Sequence, residues 1–144
     1  MAIVFPDPGE VYLLRRLTVP DPVEDIRPWR LHLYKNNYFP NRVSTLGAFV
    51  EADFDNYAPK DMTLADWQAI QLADGIAIAQ WGVGFTSWIA DSGSQDIYGY
   101  YVTDPDDVLC ILAERFDAPF PVDSGHPVQF IFAIKSHGEY EPAP

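Results

Sequence analysis

The stretch IYGYYVTDPDDVLCILAERF, residues 97–116, carries the clearest indication of how this chain folds. Residues 97–103 and 108–116 are rich in aromatic, β-branched and other apolar side chains, which favour extended strands. Asp104-Pro105-Asp106-Asp107 stands between them, and this combination is typical of a tight turn. We therefore predict an antiparallel β-hairpin at this place in the chain.

Three further strands are predicted on either side of this hairpin. Residues 30–35 alternate apolar with polar or aromatic positions and end at Asn36-Asn37, a turn signal. Residues 83–89 are rich in aromatic and β-branched side chains. In residues 128–135 every second side chain is large and apolar: Val128, Phe130, Phe132 and Ile134. This alternation is expected of a strand with one face in the core.

The region between these strands is open to two interpretations. Residues 67–73 and 76–82 flank Asp74-Gly75 and predict a two-residue hairpin. A helix also fits, because Thr63 and Asp66 resemble a capping box. We favour the hairpin.

Helical patterns are short. Residues 10–17 begin with an acidic residue, have two arginines near their end, and carry apolar side chains at helical spacing: Val11, Leu14 and Leu17. We predict a short helix there. Ser44 or Thr45 can cap a single helical turn over residues 46–50.

Short strands joined by proline-rich and glycine-rich turns predict a mostly β fold, and the 13 prolines of the chain fit poorly with a helical bundle. We expect one domain: a single antiparallel β-sandwich of the jelly-roll type with a short N-terminal helix and an extended arm. Residues 1–27 would form the arm and helix, residues 28–138 the sandwich body, and residues 139–144 a frayed tail.

Acidic residues outnumber basic residues by 21 to 9, which gives a formal net charge of -12. This charge repels nucleic acids and anionic membranes, so neither is an expected partner. The single cysteine excludes a disulfide framework. The N-terminal residues lack the pattern of a secretion signal and no run of 18 apolar residues occurs, so we expect synthesis in the cytoplasm.

The sequence contains no recognisable catalytic or cofactor-binding motif. The three histidines stand in no metal-ligand spacing; we expect His32 on the outer face of a sheet and His126 in a turn. The aspartates of residues 104–107 lack the glycine and the terminal glutamate of an EF-hand, and turn formation explains them. Gly82-Val83-Gly84 lacks the helix that phosphate binding needs. We expect no catalytic, cofactor-binding or metal-binding residue and no enzyme activity.

Two groups of residues are candidates for binding a partner protein. Ile3, Val4 and Phe5 form a short apolar arm before two prolines, and such an arm either docks on a neighbouring subunit or folds back on its own body. Trp88 belongs to an aromatic set that suits the core, a sugar-binding platform or a subunit contact. The other members of the set are Trp81, Tyr98, Tyr100 and Tyr101.

Five stretches resemble a family of small proteins encoded in tailed-phage genomes and prophages. In chain order they are VFPDPGE (4–10) with Leu13-Leu14, LHLYKNN (31–37) with Pro40, FDNYA (54–58), IYGYYV (97–102) and AERF (113–116). The resemblance implies a virion structural protein, similar to the jelly-roll cement or decoration proteins that sit as trimers on capsid exteriors. It implies the phage major capsid protein as a partner and the virion as the location, and it assigns no catalytic or binding residue.

Two other functions fit the composition. A carbohydrate-binding or receptor-binding module of a phage tail or fibre would use exposed tryptophan or tyrosine. A small acidic inhibitor of a host protein would use its charge. For the structural role we expect a homo-oligomer, with a trimer as the favoured form, because of the apolar arm and the excess of aromatic residues. Weak contacts that are repeated by symmetry add up to firm attachment, so no conspicuous binding motif is needed.

Overall fold

Two antiparallel β-sheets and one short α-helix form the protein, as a computed structural model describes it for residues 3–18, 27–74 and 76–136. The four-stranded sheet has the order β2-β1-β5-β6 and contains β1 (Trp29–Tyr34), β2 (Lys60–Met62), β5 (Ser94–Thr103) and β6 (Cys110–Asp123). The three-stranded sheet has the order β3-β4-β7 and contains β3 (Gln71–Ala73), β4 (Ile76–Trp88) and β7 (Val128–Ser136). The mostly β class is confirmed, and the two sheets are consistent with the predicted β-sandwich.

The hairpin predicted from residues 97–116 is confirmed as the β5–β6 pair. In its turn, the Asp104 carboxylate accepts hydrogen bonds from the backbone N–H groups of Val108 and Leu109 at 2.8 and 2.9 Å. Strand β6 is longer than predicted, because residues 117–123 continue it in spite of two prolines. β6 is the last strand in the order of its sheet, where a missing N–H group does little harm to the pairing.

The hairpin predicted around residue 74 is confirmed as the β3–β4 pair, although β3 covers only residues 71–73 of the predicted 67–73. The separate strand predicted over residues 83–89 is wrong. Those residues continue β4 as one long strand. Its pairing with β7 skips residues 82–85, which lie opposite the single residue Ile131 and form a β-bulge. Gly82 has a φ of 78°, a left-handed conformation that glycine adopts easily.

A short helix is confirmed, although its bounds and its buried side differ from the prediction. Helix α1 (Asp7–Thr18) begins three residues earlier than predicted. Val11 and Leu14 are exposed, whereas Tyr12 and Leu13 pack against the core. The helical spacing of the apolar residues therefore predicts the helix correctly, but it does not predict which side of the helix faces the core. Among the described residues, no helix is long and apolar enough to cross a membrane.

The predicted turn of residues 46–50 is a 3-10 helix at Leu46–Ala48, and a second one lies at Leu64–Asp66. Thr45 precedes the first but makes no side-chain cap hydrogen bond. Several predictions fall on residues outside the described part of the chain: Gly75 of the β3–β4 turn, most of the proline-rich link before β1, and the frayed tail.

The main core lies between the two sheets. On the four-stranded sheet its buried side chains include Leu31 and Leu33, which pair with Val102 and Tyr100. From the three-stranded sheet come Trp81, Trp88, Val128 and Phe132. The alternation predicted for β7 is confirmed, since Val128 and Phe132 are fully buried and Phe130 and Ile134 are partly buried against this core.

A second core covers the other face of the four-stranded sheet. It contains Tyr34, Phe49, Tyr101, Cys110 and Ala113. Residues 35–54, which we call the cover segment, leave β1, place Phe49 over this face and return to the main core at Ala52 and Phe54. A hydrogen bond from Lys35 N–H to the Val50 carbonyl closes this loop, and one from Ala52 N–H to the Leu33 carbonyl attaches it to β1; each is 2.9 Å long. Burial raises the pKa of the Cys110 thiol to about 12.

Candidate functional site

A buried polar cluster lies beneath the cover segment and centres on His32. Leu31 and Leu33 face the main core, so strand alternation directs His32 to the opposite face. The prediction that His32 lies on the outer face of a sheet is right about direction but wrong in implying a surface residue. His32 is only 4% exposed, and its ring stacks on Tyr101 with centroids 4.7 Å apart.

Both ring nitrogens of His32 face carboxylates. Nδ1 lies 2.7 Å from Oε1 of Glu51, and Nε2 lies 3.1 Å from Oδ1 of Asp107 and from Oγ1 of Thr103. A neutral imidazole has one N–H donor, whereas the imidazolium has two. The charged ring therefore donates to both Glu51 and Asp107, and the neutral ring donates to one of them. Arg30 forms a second ion pair with Asp107.

The cluster holds its two carboxylates in the ionised form. The hydrogen bond from His32 is the main influence that lowers the pKa of Glu51; partial burial opposes it, and the Tyr57 hydroxyl donates a further bond at 3.0 Å. For Asp107, burial is the largest single influence and raises the pKa. The Thr103 hydroxyl, His32 and Arg30 together outweigh it, so the pKa of Asp107 is also lowered.

Thr103, His32 and Glu51 stand in the order hydroxyl, imidazole, carboxylate, which is the order of a catalytic triad. Thr103 is only 1% exposed, and its hydroxyl donates a hydrogen bond to Asp107. A nucleophile must reach its substrate, and this hydroxyl is enclosed by the fold. The arrangement instead ties together three parts of the chain: β1, the cover segment and the β5–β6 turn.

The free energy of unfolding is expected to fall as the pH is lowered through the acidic range. The pKa values of Glu51 and Asp107 are lowered in the folded protein, so the stability they contribute is complete above the ordinary carboxyl pKa of about 4 and is lost as the pH falls through the lowered values. Urea unfolding at a series of pH values measures this slope. Glu51→Gln should flatten it, whereas Asp96→Asn, at an exposed position on β5, controls for the loss of one negative charge. An unchanged slope in Glu51→Gln would contradict the assignment.

The aspartates of the β5–β6 turn stabilise the turn by hydrogen bonds and ion pairs. Asp104 caps the backbone as described, Asp106 pairs with Arg27, and Asp107 belongs to the His32 cluster. Glu51 and Asp107 lie on opposite sides of the imidazole and do not converge on one point. Over residues 3–18, 27–74 and 76–136, no group of three or more histidine, cysteine or acidic side chains forms a metal site.

An open groove of about 740 Å³ lies beside the N-terminal arm. One side is lined by Ile3, Phe5, Tyr100 and Glu114, and the Tyr100 hydroxyl donates a hydrogen bond to the Glu114 carboxylate. The other side is lined by residues of the three-stranded sheet, among them Gln71, Ile78, Gln80, Ile131 and Lys135. The groove is a mixed surface, lined by apolar side chains together with two glutamine amides, one carboxylate and one ammonium group.

The arm folds back onto its own chain, which is one of the two alternatives predicted for it. Val4 pairs with Ala113 of β6 through two backbone hydrogen bonds of 2.7 and 2.8 Å. Ile3 and Phe5 are partly buried against the main core and leave part of their surface in the groove. Gly9, in the first turn of helix α1, allows the helix to approach β6, because a Cβ at this position would lie 2.1 Å from the Ile111 carbonyl oxygen.

Trp88, the other predicted interface residue, lies in the main core. Its indole N–H donates a 2.8 Å hydrogen bond to the Ala58 carbonyl, its ring stacks on Phe130, and the Lys60 ammonium lies 4.9 Å from the ring centroid. A sugar or a protein partner needs an exposed face, so the prediction of an interface role for Trp88 is corrected to a core role. Trp81, Tyr100 and Tyr101 are buried as well.

Sequence reasoning missed an apolar surface on the three-stranded sheet. Val83 is 91% and Phe85 66% exposed, and both lie in the bulge of β4. The strands of this sheet contain 3, 13 and 9 residues, of which Lys135 alone is charged. The sequence does contain a signal for this surface, because residues 76–90 include no charged residue although 21% of the chain is charged.

Comparisons of this chain with protein-family models, with curated proteins and with solved structures found no match.

Proposed function

We propose that this protein is a structural component of a tailed-phage particle, and that it acts as a cement or decoration protein that stabilises the head by bridging major capsid protein subunits. In this proposal the sandwich is of the jelly-roll type and the protein works as a homo-oligomer, a trimer in its simplest form, on the capsid exterior. The resemblance of the five sequence stretches to phage-encoded proteins gives the biological setting.

The observation that carries the proposal is the presence of exposed large apolar side chains in three separate regions. Val83 and Phe85 project from the three-stranded sheet, Phe39 and Val43 from the cover segment, and Val11 and Leu14 from helix α1. Exposed apolar side chains that cluster mark surfaces for protein contacts. A protein that bridges several neighbours in a shell needs such surfaces on more than one side.

Two further features agree with this role. His32 and Thr103 are enclosed by the fold, and their cluster with Glu51 and Asp107 stabilises it, which a particle component needs more than reactivity. The net charge of -12 opposes nonspecific aggregation, so that association depends on apolar surfaces that fit a particular neighbour. The carbohydrate-binding alternative loses its main support, because Trp88 is buried.

We expect the protein to be found in purified particles of the phage that encodes it, at a fixed ratio to the major capsid protein. Mass spectrometry of those particles measures the ratio, and particles that lack the protein should lose their DNA at a lower temperature. The double variant Val11→Ser/Leu14→Ser should remain folded and bind such particles more weakly, because both residues are exposed. Absence of the protein from the particles would contradict the proposal.

A further inference from the structure

We infer that the groove beside the N-terminal arm accepts one extended strand of a different protein, which pairs through its backbone with the arm on one side and with β7 on the other. The partner segment alternates apolar with polar residues and carries an acidic side chain that meets Lys135. The inference goes beyond the proposed function and does not depend on it, because the site recognises an extended backbone whichever protein supplies it.

The arm offers unpaired backbone groups to the groove. Val4 directs both its N–H and its carbonyl to Ala113 of β6. In an extended segment, neighbouring residues direct their backbone groups to opposite sides, so those of Ile3 and Phe5 point away from β6. Both residues line the groove, and neither makes a backbone hydrogen bond within the described part of the chain. The arm is therefore an incomplete strand whose unpaired side borders the groove.

Strand β7 borders the groove along its outer edge. It pairs with β4 on one side and is the last strand in the order of its sheet. Ile134 packs against the main core and Ala133 and Lys135 lie on the opposite face of the strand, but all three line the groove. A groove that is lined from both faces of a strand runs along the edge of that strand. Alternate residues of β7 therefore direct their N–H and carbonyl groups into it.

Among the described strands, β7 is the least protected long edge. The edge strands β2 and β3 contain three residues each, and β6 carries Pro119 and Pro121 and is paired with the arm. β7 has nine residues, no proline and a single charged residue, Lys135. Such an edge is a template for pairing with another chain, and the addition of a strand to a sheet edge is a common way in which proteins bind peptides.

The side chains around the groove define the partner segment. Ile3, Phe5 and Ile134 are partly buried against the main core, so the inward-facing residues of an inserted strand are apolar. Lys135 lies on the opposite face and is exposed, and no carboxylate of the described residues forms an ion pair with its ammonium group. An acidic residue on the outward face of the strand complements this charge. Residues 131–135 span about 13 Å, so about five partner residues lie in the groove.

A second copy of this chain fits the groove poorly. Glu114, the acidic residue of the groove, accepts the hydrogen bond from the Tyr100 hydroxyl and leaves Lys135 without a counter-charge. The β7 edge of a second copy would bring another Lys135 instead of an acidic residue. Each copy also carries a net charge of -12, which opposes close approach of two copies. A short segment of another protein brings the same backbone and an acidic residue without this repulsion.

The test titrates the isotope-labelled full chain with the probe peptide acetyl-Thr-Val-Thr-Val-Glu-Val-Thr-amide and follows its amides by NMR. As a strand, this peptide has valine on one face and threonine and glutamate on the other. We expect shift changes and slower hydrogen exchange at residues 3–5 and 131–135. A matched peptide with N-methyl groups on its three valines keeps the side chains but loses three backbone donors. Its dissociation constant should be at least about tenfold higher.

Charge reversal gives a second measurement. Lys135→Glu should weaken binding of the probe peptide about fivefold, and a peptide with lysine in place of its glutamate should bind this variant more tightly than it binds the parent. Arg15→Glu is the matched control, because Arg15 is exposed on helix α1 outside the groove and its reversal changes the net charge equally. This control should bind the probe peptide like the parent, and both variants should keep the parent's melting temperature.

Other results would overturn the inference. Absence of binding at millimolar peptide, or equal binding of the methylated peptide, would show that the groove does not pair with a strand. Self-association that the probe peptide reverses would assign the groove to a second copy. Binding that appears only after residues 137–144 are removed would assign the groove to the chain's own C-terminus.

Discussion

Replacing Gly99 with alanine is expected to lower the free energy of unfolding by at least about 3 kcal/mol, a large share of the roughly 5–15 kcal/mol by which domains of this size are stable. Gly99 lies in the middle of β5, paired with Tyr34 on one side and Arg115 on the other. A Cβ there would lie 2.2 Å from the Glu114 carbonyl oxygen and 2.6 Å from the Tyr34 hydroxyl. The first of these contacts is with backbone of a paired strand. The second is with a fully buried ring, so neither neighbour can move aside cheaply.

Urea or thermal unfolding followed by circular dichroism measures this effect. Gly84→Ala is the matched control, since Gly84 has no heavy atom within 4 Å of its prospective Cβ and no positive φ. We expect the control to change the stability by less than about 1 kcal/mol. Equal stability of the Gly99 variant and the parent would mean that β1, β5 and β6 are not packed as described.

Replacing His32 with alanine is expected to cost about 3 kcal/mol of unfolding free energy. The substitution removes the partner of two carboxylates and the ring that stacks on Tyr101. Loss of one member of a buried ion pair typically costs roughly 3–5 kcal/mol. The lower end applies here, because Glu51 and Asp107 retain partial contact with water and Arg30 stays beside Asp107.

His126→Ala provides the control for this prediction. His126 also pairs with an aspartate, Asp123, at 3.0 Å, but its side chain is largely exposed, and exposed pairs contribute little. Chemical unfolding at neutral pH should therefore separate the two variants by about 2 kcal/mol or more. If both variants lose the same small amount, the His32 cluster does not tie the cover segment to the sheet.

Local patterns in the sequence are sufficient to predict most of the strands. The β5–β6 hairpin follows from apolar runs on either side of an aspartate-rich and proline-containing turn, and β1 and β7 follow from alternation. The sequence pattern predicts two strands in place of β4, because the bulge interrupts the alternation at Gly82 and Gly84. It predicts too short a β6, because prolines are tolerated at the edge of a sheet and a local pattern does not show the position of a strand in its sheet.

The site was harder to predict, because burial depends on contacts between distant parts of the chain. His32 and Glu51 are 19 residues apart, and His32 and Asp107 are 75 apart. Nothing in the neighbourhood of His32 indicates that residues 35–54 cover it. The burial of Trp88 is equally hard to predict. Its aromatic side chain suits a binding platform, and its place in the core depends on contacts with Phe130 and Ala58, which are distant in the sequence.

The buried thiol of Cys110 gives the chain a built-in reporter. The protein has one cysteine, it lies under the cover segment, and its pKa of about 12 leaves almost no thiolate at neutral pH. Alkylating reagents and oxidants attack the thiolate, so an intact molecule resists them and an opened one is tagged at a single defined atom. The rate of tagging therefore counts how often this part of the molecule opens, without any engineered label.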